Sequence, residues 1–241
     1  MDNLDFDLEQ TIYPSEKNST EVYEIAVDKD FLATLFSGKH VAFAEGEDAA
    51  YYNQLGIDGY IFIKSRNKND VFYKAIHDVH FKGVIDRDYV SDHEIEVIEK
   101  KYPNVSLLRY YSLENYLFHP DNLAEYFELT ATPFDKKEFI DKLIGIKNEN
   151  LDKLKLRLSN SRSSYPFFKE NENKEQLELF KHTDSALPVV EMLNSNDFET
   201  FYKVFPAKEF GRTLPERQNL NKHELGKTKW FKKQIEKVLQ K

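Results

Sequence analysis

Four short runs of consecutive apolar residues follow one another after Val41, each of strand length: Val41 to Ala44, Tyr60 to Ile63, Phe81 to Ile85 and Val105 to Leu108. Continuous apolar character, rather than alternation, is the pattern of strands buried on both faces. Amphipathic segments of helix length lie between them. Asp48 to Leu55 and Asp92 to Lys101 are the clearest, the second opening after Ser91, a good N-cap, and closing before Pro103. Strand and helix alternating at this spacing predict an α/β fold with right-handed crossovers and a parallel sheet flanked by helices.

Beyond about His119 the strand signals give way to helical ones. Helices are predicted over Pro120 to Phe127, Asp135 to Ile146, Leu151 to Leu158, Lys174 to Phe180, Asp197 to Val204 and Lys227 to Leu239. The stretch SNSRSSYPFFKENENKE is polar and rich in breakers, and predicts a flexible connection within this half. The organisation expected is an acidic lead-in over residues 1–30, an α/β core over 31–125 and a helical C-terminal region over 126–241.

Composition narrows the chemistry. The 241 residues contain no cysteine, which excludes disulfides, cysteine-ligated zinc and a thiol nucleophile together. Catalysis must come from carboxylates, histidine, lysine or hydroxyls. No apolar run approaches the ~18–20 residues needed to cross a bilayer, and MDNLDFDLEQ has no signal-peptide pattern, so a cytoplasmic protein without membrane attachment is expected. The net charge of -8 argues against a general nucleic-acid coat. Polarity is uneven, however: the last residues, HELGKTKWFKKQIEKVLQK, are basic and set Trp230 and Phe231 among lysines. These two rings suit stacking on RNA or DNA, docking on a partner, or the apolar face of a core helix. Tyr51, Tyr52, Tyr110 and Tyr111 are assigned to packing.

Acidic residues follow three of the apolar runs: Glu45 in VAFAEGED, Asp86 and Asp88 in FKGVIDRDY, and Glu114 in SLLRYYSLENYL. In an open parallel sheet the carboxyl ends of neighbouring strands converge on one crevice, so these acids are expected to meet there. Clustered carboxylates need a cation, and Mg2+ or Mn2+ fits, since both prefer hard oxygen ligands. Asp48 is either a further ligand or a charge that favours a helix N-terminus. Gly46 either lets backbone approach a phosphate or serves as a turn glycine. Ser112 is suited to cap a helix at Leu113. Arg87 is expected to point away from its two neighbouring aspartates if extended, and to pair with a nearby acid instead. His77 and His80 have helix-face spacing, but a hard-metal carboxylate site needs no imidazole.

The strand followed by E-G, the strand followed by D-x-D, and their order resemble a TOPRIM domain, the metal-binding module of topoisomerases, primases and OLD-type nucleases. More closely, AFAEGEDAAYYNQL, GVIDRDYV and LLRYYSLENYLF resemble the small TOPRIM nucleases encoded beside ABC-type ATPases in PARIS-type anti-phage defence. The resemblance covers roughly residues 35 to 125, and more weakly FPAKEF and LGKTKWFKKQI. It implies a divalent-metal-dependent endonuclease acting as a toxic effector. Glu45, Asp48, Asp86, Asp88 and Glu114 would hold Mg2+ or Mn2+; Lys208 and Lys222 are the leading basic groups for charge on the phosphate. It also implies a nucleic-acid substrate (tRNA, or DNA), an ABC-type ATPase partner and a homodimer. Family members commonly carry a further acid four residues after the motif glutamate, where this chain has Ala49. No ATP-binding loop of the G-x-x-x-x-G-K type is present, so ATP dependence would come from the partner.

Two other classes compete. A TOPRIM-like module without full metal competence would act by docking to an ATPase, and the retained D-x-D speaks against it. Transfer through an aspartyl phosphate fits an Asp after a buried strand, but leaves Glu45 without a role.

Overall fold

The computed structural model describes residues 39–77, 79–164, 182, 185–213 and 220–240. The lead-in over 1–30 and the helix expected over Lys174 to Phe180 lie outside the described residues.

Four parallel strands form one sheet: β1 (His40–Glu45), β2 (Tyr60–Ser65), β3 (Phe81–Ile85) and β4 (Val105–Leu107). Their spatial order is β2-β1-β3-β4. Register sets Val41 beside Ile61 and Phe81, and Gly83 beside Val105. The intervening helices are α1 (Asp48–Gln54), α2 (Lys68–His77) and α3 (Asp92–Lys101).

The chain leaves β1 in one direction and returns from β2 past β1 in the other, so right-handed crossovers place α1 on one face and α2 and α3 on the opposite face. Side-chain packing follows. Val41, Phe43, Phe81, Ile85 and Leu107 meet Val71, Phe72 and Ala75 of α2 and Ile95 and Ile98 of α3. Ala42, Ala44, Phe62 and Val84 face the other way, toward Ala49 and Tyr52 of α1 and the C-terminal helices. Gly83 permits the closest approach: a Cβ there would stand 2.9 Å from Ala75 Cβ and 3.0 Å from Val71 Cγ1.

Local chemistry starts and stops these elements. Ser91 and Glu94 form a capping box on α3, with Glu94 N donating to Ser91 Oγ at 3.0 Å and Ser91 N to Glu94 Oε2 at 2.9 Å. After β4 come α4 (Leu113–Leu117), α5 (Pro120–Leu129), α6 (Lys136–Glu149), α7 (Leu151–Ser164), α8 (Leu187–Asn194), α9 (Phe198–Tyr202), a 3-10 helix (Ala207–Thr213), α10 (Lys222–Leu225) and α11 (Lys229–Leu239). Asp135, Asp197 and Thr228 cap α6, α9 and α11. No helix among the described residues is long and apolar enough to cross a membrane.

Three expectations need correcting. The strand at Val105 ends at Leu107, so Glu114 projects from α4 rather than from a strand end. The first part of the expected flexible connection is helical: α7 continues to Ser164 because Leu158 is buried and Arg162 ties it to α3, donating to Glu94 Oε2 at 2.9 Å and Oε1 at 3.0 Å. Helix α2 stops at His77, which leaves His80 in the following turn and off that helix.

Candidate metal-binding crevice

Strand order places the topological switch point between β1 and β3, whose outgoing connections run in opposite directions, and ligand crevices of open α/β sheets form at such a point. Glu45 is the last residue of β1, and Asp86 follows the last residue of β3. Asp88 has a left-handed backbone (φ 49°), which aspartate tolerates better than most residues, and its N–H donates to Tyr111 O at 2.8 Å. That bend keeps both aspartates on the crevice side while Arg87 turns away. Arg87 is fully buried and pairs with Asp92 at 2.8 Å, donating also to Val90 O and Arg109 O at 2.9 Å each.

Asp86 Oδ1 accepts from Leu113 N at 3.3 Å, which joins the end of β3 to the start of α4 and brings Glu114 into the crevice. Ser112 does not cap that helix. Its hydroxyl instead donates to Glu114 Oε2 at 2.9 Å. Asp48, in the first turn of α1, completes the acidic set, whereas Ala49 beside it is buried in the core. The side chain facing the crevice is therefore three residues after Glu45, not four.

Burial, and after it mutual repulsion, shifts the ionisation of these groups. Burial, then the charges of Asp48, Asp88 and Glu114, push Asp86 well above the ordinary carboxylate range. Burial, then Glu114 and Glu45, push Asp48 up to about 7. Glu45 is raised by burial and by Asp88. Glu114 moves down: burial opposes its charge, but Lys222 and Lys208 outweigh it, helped by the Ser112 hydroxyl.

Lysines from three elements balance the acids. Lys222 Nζ is 3.3 Å from Glu114 Oε1. Burial disfavours the charge on Lys208, yet Glu114, Asp86, Asp88 and Asp48 together raise its affinity for the proton. Lys68, at the start of α2, contacts Asp88 Oδ2 at 2.8 Å and was not singled out from sequence. Its signal was present: it follows the carboxyl end of β2, the neighbour of β1, so the rule that located the acids also locates it.

In two places where the sequence left alternatives open, the structure bears out the structural one. The N–H of Gly46 donates to Ser65 O at 2.9 Å, so it is not offered to a phosphate; glycine is needed there for its left-handed backbone, φ 52°. Trp230 lies face to face with His119, centroids 4.5 Å apart, and Phe231 is fully buried, so α11 spends both rings on packing. Sequence reading also passed over His119, which burial drives down to about 3. Its ligand atom lies with those of Asp121 and Glu199 within 4.8 Å, the only such trio of His or carboxylate ligands among the described residues. The five crevice acids are thus electrostatic neighbours without being drawn to a single chelating point.

That spacing still fits a magnesium-type ion. Such an ion retains several waters and is held through one or two carboxylates, so it does not need three oxygens already in contact. The donor set is all oxygen, and its excess negative charge is what a divalent cation relieves. Comparison with protein-family models, with curated proteins and with solved structures finds no match to the chain.

Proposed function

We propose that the chain is a divalent-metal-dependent nuclease with a TOPRIM-like core. One observation carries this reading: five carboxylates from β1, α1, the β3 loop and α4 meet at the switch point of a parallel sheet, with Lys68, Lys208 and Lys222 among them. Carboxylates that raise one another's proton affinity, flanked by cations, suit a site that takes up a metal ion and a phosphodiester together.

In this reading Glu45, Asp86 and Asp88 hold the principal ion, and Asp48 and Glu114 hold or orient a second. Bound there, a divalent ion polarises the scissile phosphate and lowers the pKa of an attacking water. The chain's own groups do the rest. Lys208 stays protonated and offers positive charge to the phosphate as charge develops on it. Lys222 and Lys68 neutralise Glu114 and Asp88, and Asp86 fixes the entry to α4 through the Leu113 amide. The resemblance to nucleases of PARIS-type defence extends the proposal to tRNA as substrate, to an ABC-type ATPase as partner and to a homodimer. The docking-module alternative requires a core without full metal competence, whereas Asp48, next to Ala49, adds an acid to the crevice.

The test is incubation of the full chain with total tRNA, single-stranded DNA and plasmid DNA in Mg2+ or Mn2+, with chelator as control. Metal-dependent cleavage of tRNA is expected. Absence of cleavage on all three, with either metal and with the ATPase partner added, contradicts the proposal.

A further inference from the structure

His119 precedes α5 and is 1 % exposed. Trp230 stacks on its ring at 4.5 Å and 20°, and Tyr110, Phe198 and Tyr202 surround it. A carboxylate stands at each ring nitrogen: Asp121 Oδ2 is 3.6 Å from Nδ1, and Glu199 Oε1 is 3.7 Å from Nε2. Both carboxylates have their other oxygen held from outside. Lys136 donates to Asp121 Oδ1, and the Tyr110 hydroxyl donates to Glu199 Oε2 at 2.9 Å. These outer partners turn Oδ2 and Oε1 toward the imidazole, as the shell around a metal site turns its ligands.

Nε2 is the informative atom. It is buried and has no hydrogen-bond partner among the described residues, an arrangement proteins rarely keep without a ligand or water to fill it. We propose that His119 and Glu199, oriented by Asp121, form a second metal site that takes a divalent ion of the zinc type. Mixed imidazole and carboxylate donors suit zinc, whereas the all-oxygen crevice suits magnesium. Nε2 and Oε1 are the protein ligands; an ion bonded to each at roughly 2.0–2.2 Å spans the gap between them. Solvent completes the coordination from the side on which the Glu199 side chain is 59 % exposed.

Loading the site shifts a proton rather than releasing one. The Asp121 amide donates to Nδ1 at 3.2 Å, which leaves the ring proton on Nε2. With the ion on Nε2 that proton moves to Nδ1, the Asp121 amide gives up its hydrogen bond there, and Asp121 Oδ2, 3.6 Å away, faces the new N–H. Asp121 is thus a positioning residue: its amide holds the Nε2–H tautomer in the empty site, and its carboxylate favours the Nδ1–H tautomer once the ion is bound. The ion joins α5 to α9 and, through the ring stack, α11. None of this depends on the nuclease proposal.

Trp230 is the only tryptophan of the chain, so its emission reports on the ring it covers. The test is a Zn2+ titration of the full chain followed by Trp230 emission and by calorimetry. A saturable emission change is expected, with affinity at least about tenfold weaker in Glu199→Gln and in His119→Gln, and retained in Asp86→Asn. Glu199 is exposed, so an unchanged unfolding midpoint of Glu199→Gln without zinc separates loss of the ligand from loss of the fold. Equal Zn2+ affinity in Glu199→Gln, loss of the emission response in Asp86→Asn, or no saturable response at all overturns the proposal.

Discussion

Lys222 Nζ lies 3.3 Å from Glu114 Oε1, joining residues 108 apart in sequence and bringing the basic end of the chain into the acidic crevice. With Lys208 it holds Glu114 ionised against burial. Lys208→Met is expected to slow cleavage about 100-fold, the scale on which one group that stabilises developing charge acts. Magnesium affinity should not fall, because the ammonium competes with the ion for the same carboxylates. Single-turnover cleavage rates and calorimetry separate the two; weaker metal binding with an unchanged rate would contradict the assignment.

Stability without divalent ions should fall as pH rises through neutrality. Asp48, raised from the ordinary 3.8 to about 7, and Asp86, raised well above the ordinary carboxylate range, bind protons more tightly folded than unfolded. Their contribution is complete below about 3.8 and is lost as pH climbs through their folded values. Glu94 works in another window: despite burial, His182, Arg162 and the Ser91 amide hold it at about 2, so its contribution is lost as pH falls from 4.5 toward 2. Melting temperature in chelator should therefore drop between pH 5.5 and 8, and Mg2+ should restore it at the upper end. A melting temperature that rises over that interval would count against the crevice ionisation.

Arg162 and Glu94 form a buried pair, with side chains 5 % and 0 % exposed, between α7 and α3. Arg162→Met removes the cation that holds the carboxylate bidentately, leaving His182 and the Ser91 amide among its partners, and should cost about 3 kcal/mol. Denaturant unfolding measures it, and a loss below about 1 kcal/mol would mean that the remaining partners suffice.

Gly83→Ala tests the packing of α2 on the sheet. The added methyl meets Ala75 Cβ at 2.9 Å and Val71 Cγ1 at 3.0 Å, so overpacking of about 1–3 kcal/mol is expected. The same measurement decides it, and a neutral substitution would show that α2 moves aside freely.

The sheet was legible because strands buried on both faces read as unbroken apolar runs, and Glu45, Asp86 and Asp88 were legible because residues at the ends of parallel strands share one crevice. What sequence hid were matters of tertiary contact. Nothing local distinguishes Lys208 and Lys222 from surface lysines; long-range packing brings them to the acids. Gly46 carries the same motif whether its N–H faces a phosphate or Ser65 O. Ser112 has the form of a cap, but a carboxylate two residues on competes for its hydroxyl. His119, beside Pro120, gave no signal, since its surroundings come from Tyr110, Glu199 and Trp230, on three separate stretches of chain.

Cleavage of tRNA with Mg2+ by the wild type, Asp86→Asn and Glu45→Gln, side by side at matched folded concentration, is the most direct measurement. Loss of metal-dependent cleavage in both variants, with melting in chelator no lower than wild type, is the expected result. Wild-type rates in either variant would contradict the assignment of the crevice as the place where the ion binds and the phosphodiester is cut.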